Sequence, residues 1–297
     1  MKRTMWWALA PVVAALTAGM VSCGGRGNAG GAADVSAESA GGAVVFLTDS
    51  VGCSDSLMLG GCRATVKISG LYPDDGETAC TDSARAWVAT RLSFASGSSG
   101  VPLFVPTAAE IADGQTLANA TASALMAMAR GDFEDFERDS IRVSYEFECR
   151  FRPVFVSDSL LTYSYSGYVY LGGAHGGAAG LGQTFNRMSG EALTFANSIE
   201  PSATDDLRAM IRRALWTQYF TTETDGEGDL TLRDVLLIDP DTLPLPSSAP
   251  EFMADGVHVT YQQYEIACYA AGMPSVVLPY DSVAPLMRPA IVRLLPR

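Results

Sequence analysis

The chain has 297 residues, with 33 acidic side chains against 20 basic and a formal net charge of −13. Acidity of that size repels phosphate backbones and anionic lipid, which excludes nucleic acid as a partner held by phosphate contacts. A hydrophobic share of 48% is enough for packed cores and excludes a disordered chain.

At the N-terminus, Lys2 and Arg3 precede the apolar run MWWALAPVVAALTAGMV, which closes on Ser22 and Cys23. A positive start, a short hydrophobic core and a small residue at the cut are the layout of a secretory signal, expected over residues 1–22. Met20-Val21-Ser22-Cys23 resembles a bacterial lipobox. That resemblance implies lipid on Cys23 and a membrane partner through the anchor; an ordinary cleaved signal with an incidental cysteine is the alternative. Residues 24–42, GGRGNAGGAADVSAESAGG, are small and without periodicity, as in a flexible tether. No acidic cluster follows Cys23, so the periplasmic face of the outer membrane is the expected location. No later apolar run is long enough to cross a membrane.

Cys53, Cys62, Cys80, Cys149 and Cys268 remain after Cys23, an odd number. In an oxidising compartment up to two disulfides and one free thiol follow. Cys53 and Cys62 flank SDSLMLGG, a turn-rich stretch, and theirs is the first pairing expected. No C-x-x-C spacing stands beside a histidine, so no metal or other cofactor is expected.

From Ala43 the elements alternate. AVVFLTD and CRATVKISGLYP predict strands. DSARAWVATRLSF predicts a helix capped at Asp82 or Ser83, with Trp87, Val88, Arg91 and Leu92 at helical spacing. AAEIADGQTLANATASALMAMARGDFEDFERD continues as helix, broken near Gly114, with Met126 and Met128 as core filler. SIRVSYEFECRFRPVFVSD, bent at Pro153, and SLLTYSYSGYVYLGG predict two long strands joined by a hairpin at VSDSLL. After the Gly-rich LGGAHGGAAGLG come short strands at 183–186 and 192–195. Leu207, Ile211, Leu215 and Tyr219 then mark one face of a helix capped at Thr204 or Asp205. An acidic loop over 221–229 and a Pro-rich link over 240–250 lead to strands at 257–266 and SVVLPY, a helix from Ser282, and the strand-like tail IVRLL. Helices between antiparallel hairpins point to an α+β fold, with antiparallel sheets covered by helices on one face. Two subdomains are expected, 43–149 and 150–297.

The segment GGAHGG is the strongest candidate for chemistry. Gly172, Gly173 and Gly176 surround His175, so the backbone can approach other groups closely. His175 is a candidate metal ligand or general base; the alternative is a ring that bonds nearby backbone and holds the loop. His258, in VHVTYQ, is the second of two histidines, so a His175–His258–carboxylate site stays open while a three-histidine site does not. No G-x-S-x-G or H-E-x-x-H is present. Tyr261, Tyr264 and Tyr269 in YQQYEIACYAAG are candidates for a sugar- or protein-binding face, with core packing as the alternative.

YVYLGGAHGG, QTFNRMSGEALTF, DLRAMIRRAL and VTYQQYEIACYAAGMPSVVLPYDSVAPLM, in that order, resemble the C-terminal domain shared by a lysozyme-sensing anti-sigma factor and a peptidoglycan deacetylase of Gram-positive bacteria. The resemblance covers about residues 150–288; residues 43–149 resemble, with less definition, the smaller α+β domain that precedes it. Cys268 stands where the family has proline, which leaves the local turn and a further disulfide open. With no deacetylase module or sigma-binding segment alongside, the resemblance implies an extracytoplasmic binding module. Its partner would be a cationic, lysozyme-like protein or peptidoglycan. No catalytic residue is assigned. A peptidoglycan hydrolase or deacetylase accessory, and a structural envelope-assembly lipoprotein, are the rival expectations.

Overall fold

Strict alternation along SYEFECRF sets the central strand of the main sheet: Tyr145, Phe147, Cys149 and Phe151 are buried, while Glu146, Glu148 and Arg150 turn outward. The computed structural model of the protein describes residues 35–39, 42–97, 100–221 and 230–296. The signal segment, Cys23 and most of the acidic loop lie outside the described residues, as does the tether up to residue 34. All described residues belong to one compact unit, Gly31–Arg297.

Strands β1 (Val35–Ser39) and β2 (Gly42–Phe46) pair antiparallel, so the far end of the expected tether is strand. β3 (Thr48–Leu59) and β4 (Cys62–Pro73) form a long hairpin closed by Gly60 and Gly61. Both glycines have positive φ (57° and 82°), the backbone a two-residue hairpin turn requires. Three helices follow: α1 (Ala79–Ser93), α2 (Ala108–Ala112) and α3 (Gly114–Arg138). The cap of α1 is Thr78, whose hydroxyl accepts the Thr81 N–H, rather than Asp82 or Ser83. The break near Gly114 falls on Asp113, which ends α2 and caps α3 through the Thr116 N–H at 2.6 Å.

β5 (Ser144–Val156), β6 (Leu160–Leu171) and β7 (Gly177–Asn186) complete a five-stranded sheet in the order β3-β4-β5-β6-β7. The register slips between Pro153 and Phe155, the bend expected at that proline. β4 and β5 are parallel, a correction to the all-antiparallel expectation. The intervening helices supply the crossover that a parallel pair needs. Leu117, Leu125 and Phe133 of α3 and Val88 and Leu92 of α1 are 0% exposed in the core with this sheet. Burying one such side chain contributes roughly 1.5–3 kcal/mol.

The chain then turns through Met188–Gly190 into α4 (Phe195–Ser198) and α5 (Thr204–Ala214), which continues as a π-helical turn over Leu215–Phe220. After α6 (Leu232–Val235), strands β8 (Glu251–Phe252), β9 (Val257–Thr260) and β10 (Ser275–Leu278) make a small antiparallel sheet in the order β10-β9-β8. α7 (Tyr280–Val283) and α8 (Pro289–Val292) close the chain. The expected strand at 192–195 is one bridge, Phe185 to Ala192, and the expected strand at 257–266 stops at Thr260. IVRLL begins inside a helix, because Pro289 at its first turn has the preset φ and missing donor suited to a helix start.

Two apolar cores result, one between the main sheet and α1 and α3, the other around α5 and the small sheet. The border expected at 149/150 falls inside β5, and Phe155 and Leu160 already belong to the second core. Thr162 and Thr184, both 0% exposed, join the sheets: Thr162 donates to the Phe252 carbonyl at 2.7 Å, and the Phe252 N–H donates to Thr184 at 2.9 Å. Thr162 has only one proton, so the 2.9 Å contact between the two hydroxyls must be a donation from Thr184.

The Cys53–Cys62 pairing is corrected. Both thiols are free, and Cys53 stands opposite Ile68 while Cys62 stands opposite Leu59. The six residue steps from Cys53 to Leu59 span about 20 Å at roughly 3.3 Å each, beyond any bridge. The stretch expected as a loop is strand, its turn being only Gly60-Gly61. Among the described residues no helix is long and apolar enough to cross a membrane.

Candidate functional site

The loop between β6 and β7 brings together most of the candidates. Gly172, Gly173, Ala174 and His175 are exposed, whereas Gly176 is buried. His175 Nδ1 lies 3.0 Å from the Gly176 carbonyl, and since a carbonyl only accepts, Nδ1 carries the proton. The same carbonyl takes the Tyr269 hydroxyl at 3.0 Å, and the His175 and Tyr269 rings stack with centroids 4.0 Å apart. Tyr264 extends the face, its ring 5.8 Å from that of Tyr269.

Two further tyrosines, from β6, hold the loop from below. Tyr170 donates to the Gly173 carbonyl at 3.0 Å. A Cβ on Gly176 would come within 2.4 Å of the Tyr168 ring, so only glycine lets the backbone lie there. Burial first, then the charge of Glu146, pushes the Tyr168 phenol up. The tyrosines of YVY matter because alternate strand residues share a face and Tyr168 and Tyr170 both reach the loop.

Tyr264 is 56% exposed and has φ 64°, a left-handed backbone that a bulky residue rarely adopts. Tyr261 does not join this face: it is 0% exposed, and its hydroxyl donates to the Pro244 carbonyl at 2.7 Å. It is a core residue, which corrects its place among the binding candidates.

The two histidines have separate neighbours. His258 Nε2 lies 2.8 Å from Asp255 Oδ1, and across the ladder His258 stands opposite Glu251. Burial raises the Glu251 carboxyl above its ordinary value, only partly offset by His258. Bonding to His258 holds the Asp255 carboxyl low. Among the described residues no group of three His, Cys, Asp or Glu side chains is arranged to hold a metal ion.

β7 is an edge of the main sheet, and side chains close it. Ala178 N–H donates to Gln263 Oε1 at 2.9 Å, and the Gln262 amide bonds Gly180. Beside this edge lie two cavities, of about 750 and 860 Å³, that share Arg91 and Leu181. The larger reaches the His175 loop; the smaller contains Trp87 and Phe195. Arg91 escaped the sequence reading because it falls within a helical apolar face. The available signal was its place one turn after Trp87 on that face.

The helix α5 and the small sheet lie in a segment that is similar to a known family. Residues 203–281 match DUF3298, described as a protein of unknown function. The DUF3298 match runs from the start of α5 to α7 and leaves the His175 loop outside it. The fold is similar to the crystal structure of a DUF3298 family member from Bacteroides fragilis, with TM-score 0.63 and 18% identity over 84% of this chain and 97% of that one. It is also similar to a DUF3298 family protein from Pseudomonas aeruginosa, with TM-score 0.53 and 16% identity over 84% and 96%. At such identities the likeness shows the fold alone. No curated protein matches the chain.

Proposed function

We propose that this chain is a non-enzymatic envelope lipoprotein, anchored through Cys23, that binds a protein or cell-wall ligand through the face formed by His175, Tyr264 and Tyr269. Tyr264 carries the reading: a large side chain, 56% exposed and held at φ 64°, stores backbone strain at an exposed aromatic patch. The Gly176 carbonyl at Nδ1 and the Tyr269 face hold the His175 ring in place, which suits a positioning role. The motif order of residues 150–288 resembles the lysozyme-sensing family, and the formal charge of −13 complements a cationic, lysozyme-like partner.

The test is binding of purified protein to lysozyme and to muropeptides, compared with Tyr264→Ala and His175→Ala. Micromolar binding that Tyr264→Ala weakens about tenfold, near 1.4 kcal/mol, supports the reading. Absence of binding to either class, binding indifferent to both substitutions, or turnover of muropeptides overturns it.

A further inference from the structure

Arg91 lies half-buried in the last turn of α1. Among the described residues, its Nε is the buried side-chain nitrogen or oxygen left without a hydrogen-bond partner. Burial lowers the guanidinium's proton affinity, against a small opposing effect of Tyr165. Its Cζ lies 5.9 Å from the centroid of the Trp87 ring. A charge desolvated without a counter-charge is costly, and an anion arriving at the guanidinium removes that cost.

The surroundings are built for such an arrival. Arg91 lines both cavities beside β7, and neither lining contains an aspartate or glutamate although the chain carries 33. Glu265 is tied to the backbone, accepting the Ser247 and Gln262 N–H groups at 2.7 Å each. Glu251 packs over Gly182. One guanidinium with no second lysine or arginine in either lining matches a monoanion, not a phosphate dianion. The lining of the 750 Å³ cavity includes Thr194, Ser247 and Ser248 beside Trp87 and Phe195, so the wall carries hydroxyls as well as apolar surface. Such a wall suits an amide-bearing chain better than a continuous acyl chain.

We infer that Arg91 binds the C-terminal carboxylate of a short uncharged peptide whose body lies in the cavity of Trp87 and Phe195. The site is distinct from the His175 face, so it stands or falls separately from the proposed function. No bond is made or broken; the guanidinium donates to a carboxylate that gives up its water.

The experiment is calorimetric titration of the purified chain with N-acetyl-trialanine as free acid and as C-terminal amide, with decanoate as a third ligand. The acid is expected to bind at least about tenfold tighter than the amide. Arg91→Gln should erase that preference, and Phe195→Ala should weaken acid and amide alike. Thermal unfolding of Arg91→Gln is expected at or above that of the parent, because the variant removes a desolvated charge whose Nε has no partner to lose; should that variant misfold, the acid-to-amide ratio of the native chain decides alone. Equal affinity for acid and amide, no binding of the acid at about 5 mM, which is weaker than any useful affinity, or tighter binding of decanoate than of the peptide overturns the assignment.

Discussion

The side-chain amide of Gln262 meets both backbone groups of Gly180: Oε1 accepts the Gly180 N–H at 3.1 Å, and Nε2 donates to its carbonyl at 2.6 Å. A side chain thus replaces a neighbouring strand at the open edge of β7. Gln218 does the same for β10, donating to the Val277 carbonyl at 3.0 Å and accepting its N–H at 2.8 Å. Two sheets end on glutamines, and bare edges are avoided.

Replacing Gln262 with alanine should therefore unpair Gly180 and cost about 1–3 kcal/mol, the range for leaving such a group unsatisfied. Urea denaturation measures the loss, and size-exclusion chromatography should show concentration-dependent association through the exposed edge. A variant as stable and as monomeric as the parent would contradict the edge-capping role.

Adjacent glycines in the His175 loop should respond differently to alanine. At Gly176 the new Cβ meets Tyr168 at 2.4 Å, whereas at Gly177 nothing lies within 4 Å. Gly176→Ala should cost roughly 1–3 kcal/mol by overpacking and disturb the His175–Tyr269 stack, while Gly177→Ala leaves both intact. Thermal unfolding and histidine NMR shifts distinguish the pair; equal effects would be inconsistent with the close approach.

Glu251 gives a pH signature. Its carboxyl is raised in the folded state by burial, so the native form binds its proton more readily than the unfolded chain does. The penalty is fully present above the folded pKa and fades as pH falls through the interval down to the unfolded value. Glu251→Gln should raise the melting temperature at pH 7.5, and the advantage should shrink toward pH 4. An advantage that grows on acidification would reverse the sign of this argument.

Cysteine reactivity should follow exposure. Cys268 is exposed, Cys62 is buried, and burial pushes the Cys80 and Cys149 thiols up to about 11. In the native protein at pH 8, iodoacetamide should label Cys268 first and reach Cys62, Cys80 and Cys149 only after unfolding. Peptide mapping without reduction should recover no Cys53–Cys62 bridge.

Local pattern made much of this architecture legible. Alternation over residues 144–156 and helical spacing over 114–138 announce their elements because each buries one face against a single core. The break near Gly114 and the bend at Pro153 are signalled by chemistry confined to a few residues. GGAHGG announces a loop where backbone must come close to other groups, and His175 with Tyr269 does meet there. What stayed hidden needs partners distant in the chain. The parallel pairing of β4 and β5, the edge bonds of Gln262 and Gln263, the burial of Tyr261 and the unpartnered Nε of Arg91 arise from packing across tens of residues. Composition and periodicity record which side chains seek the interior; only the folded chain decides which polar group finds its partner and which, like Arg91 Nε, is buried without one.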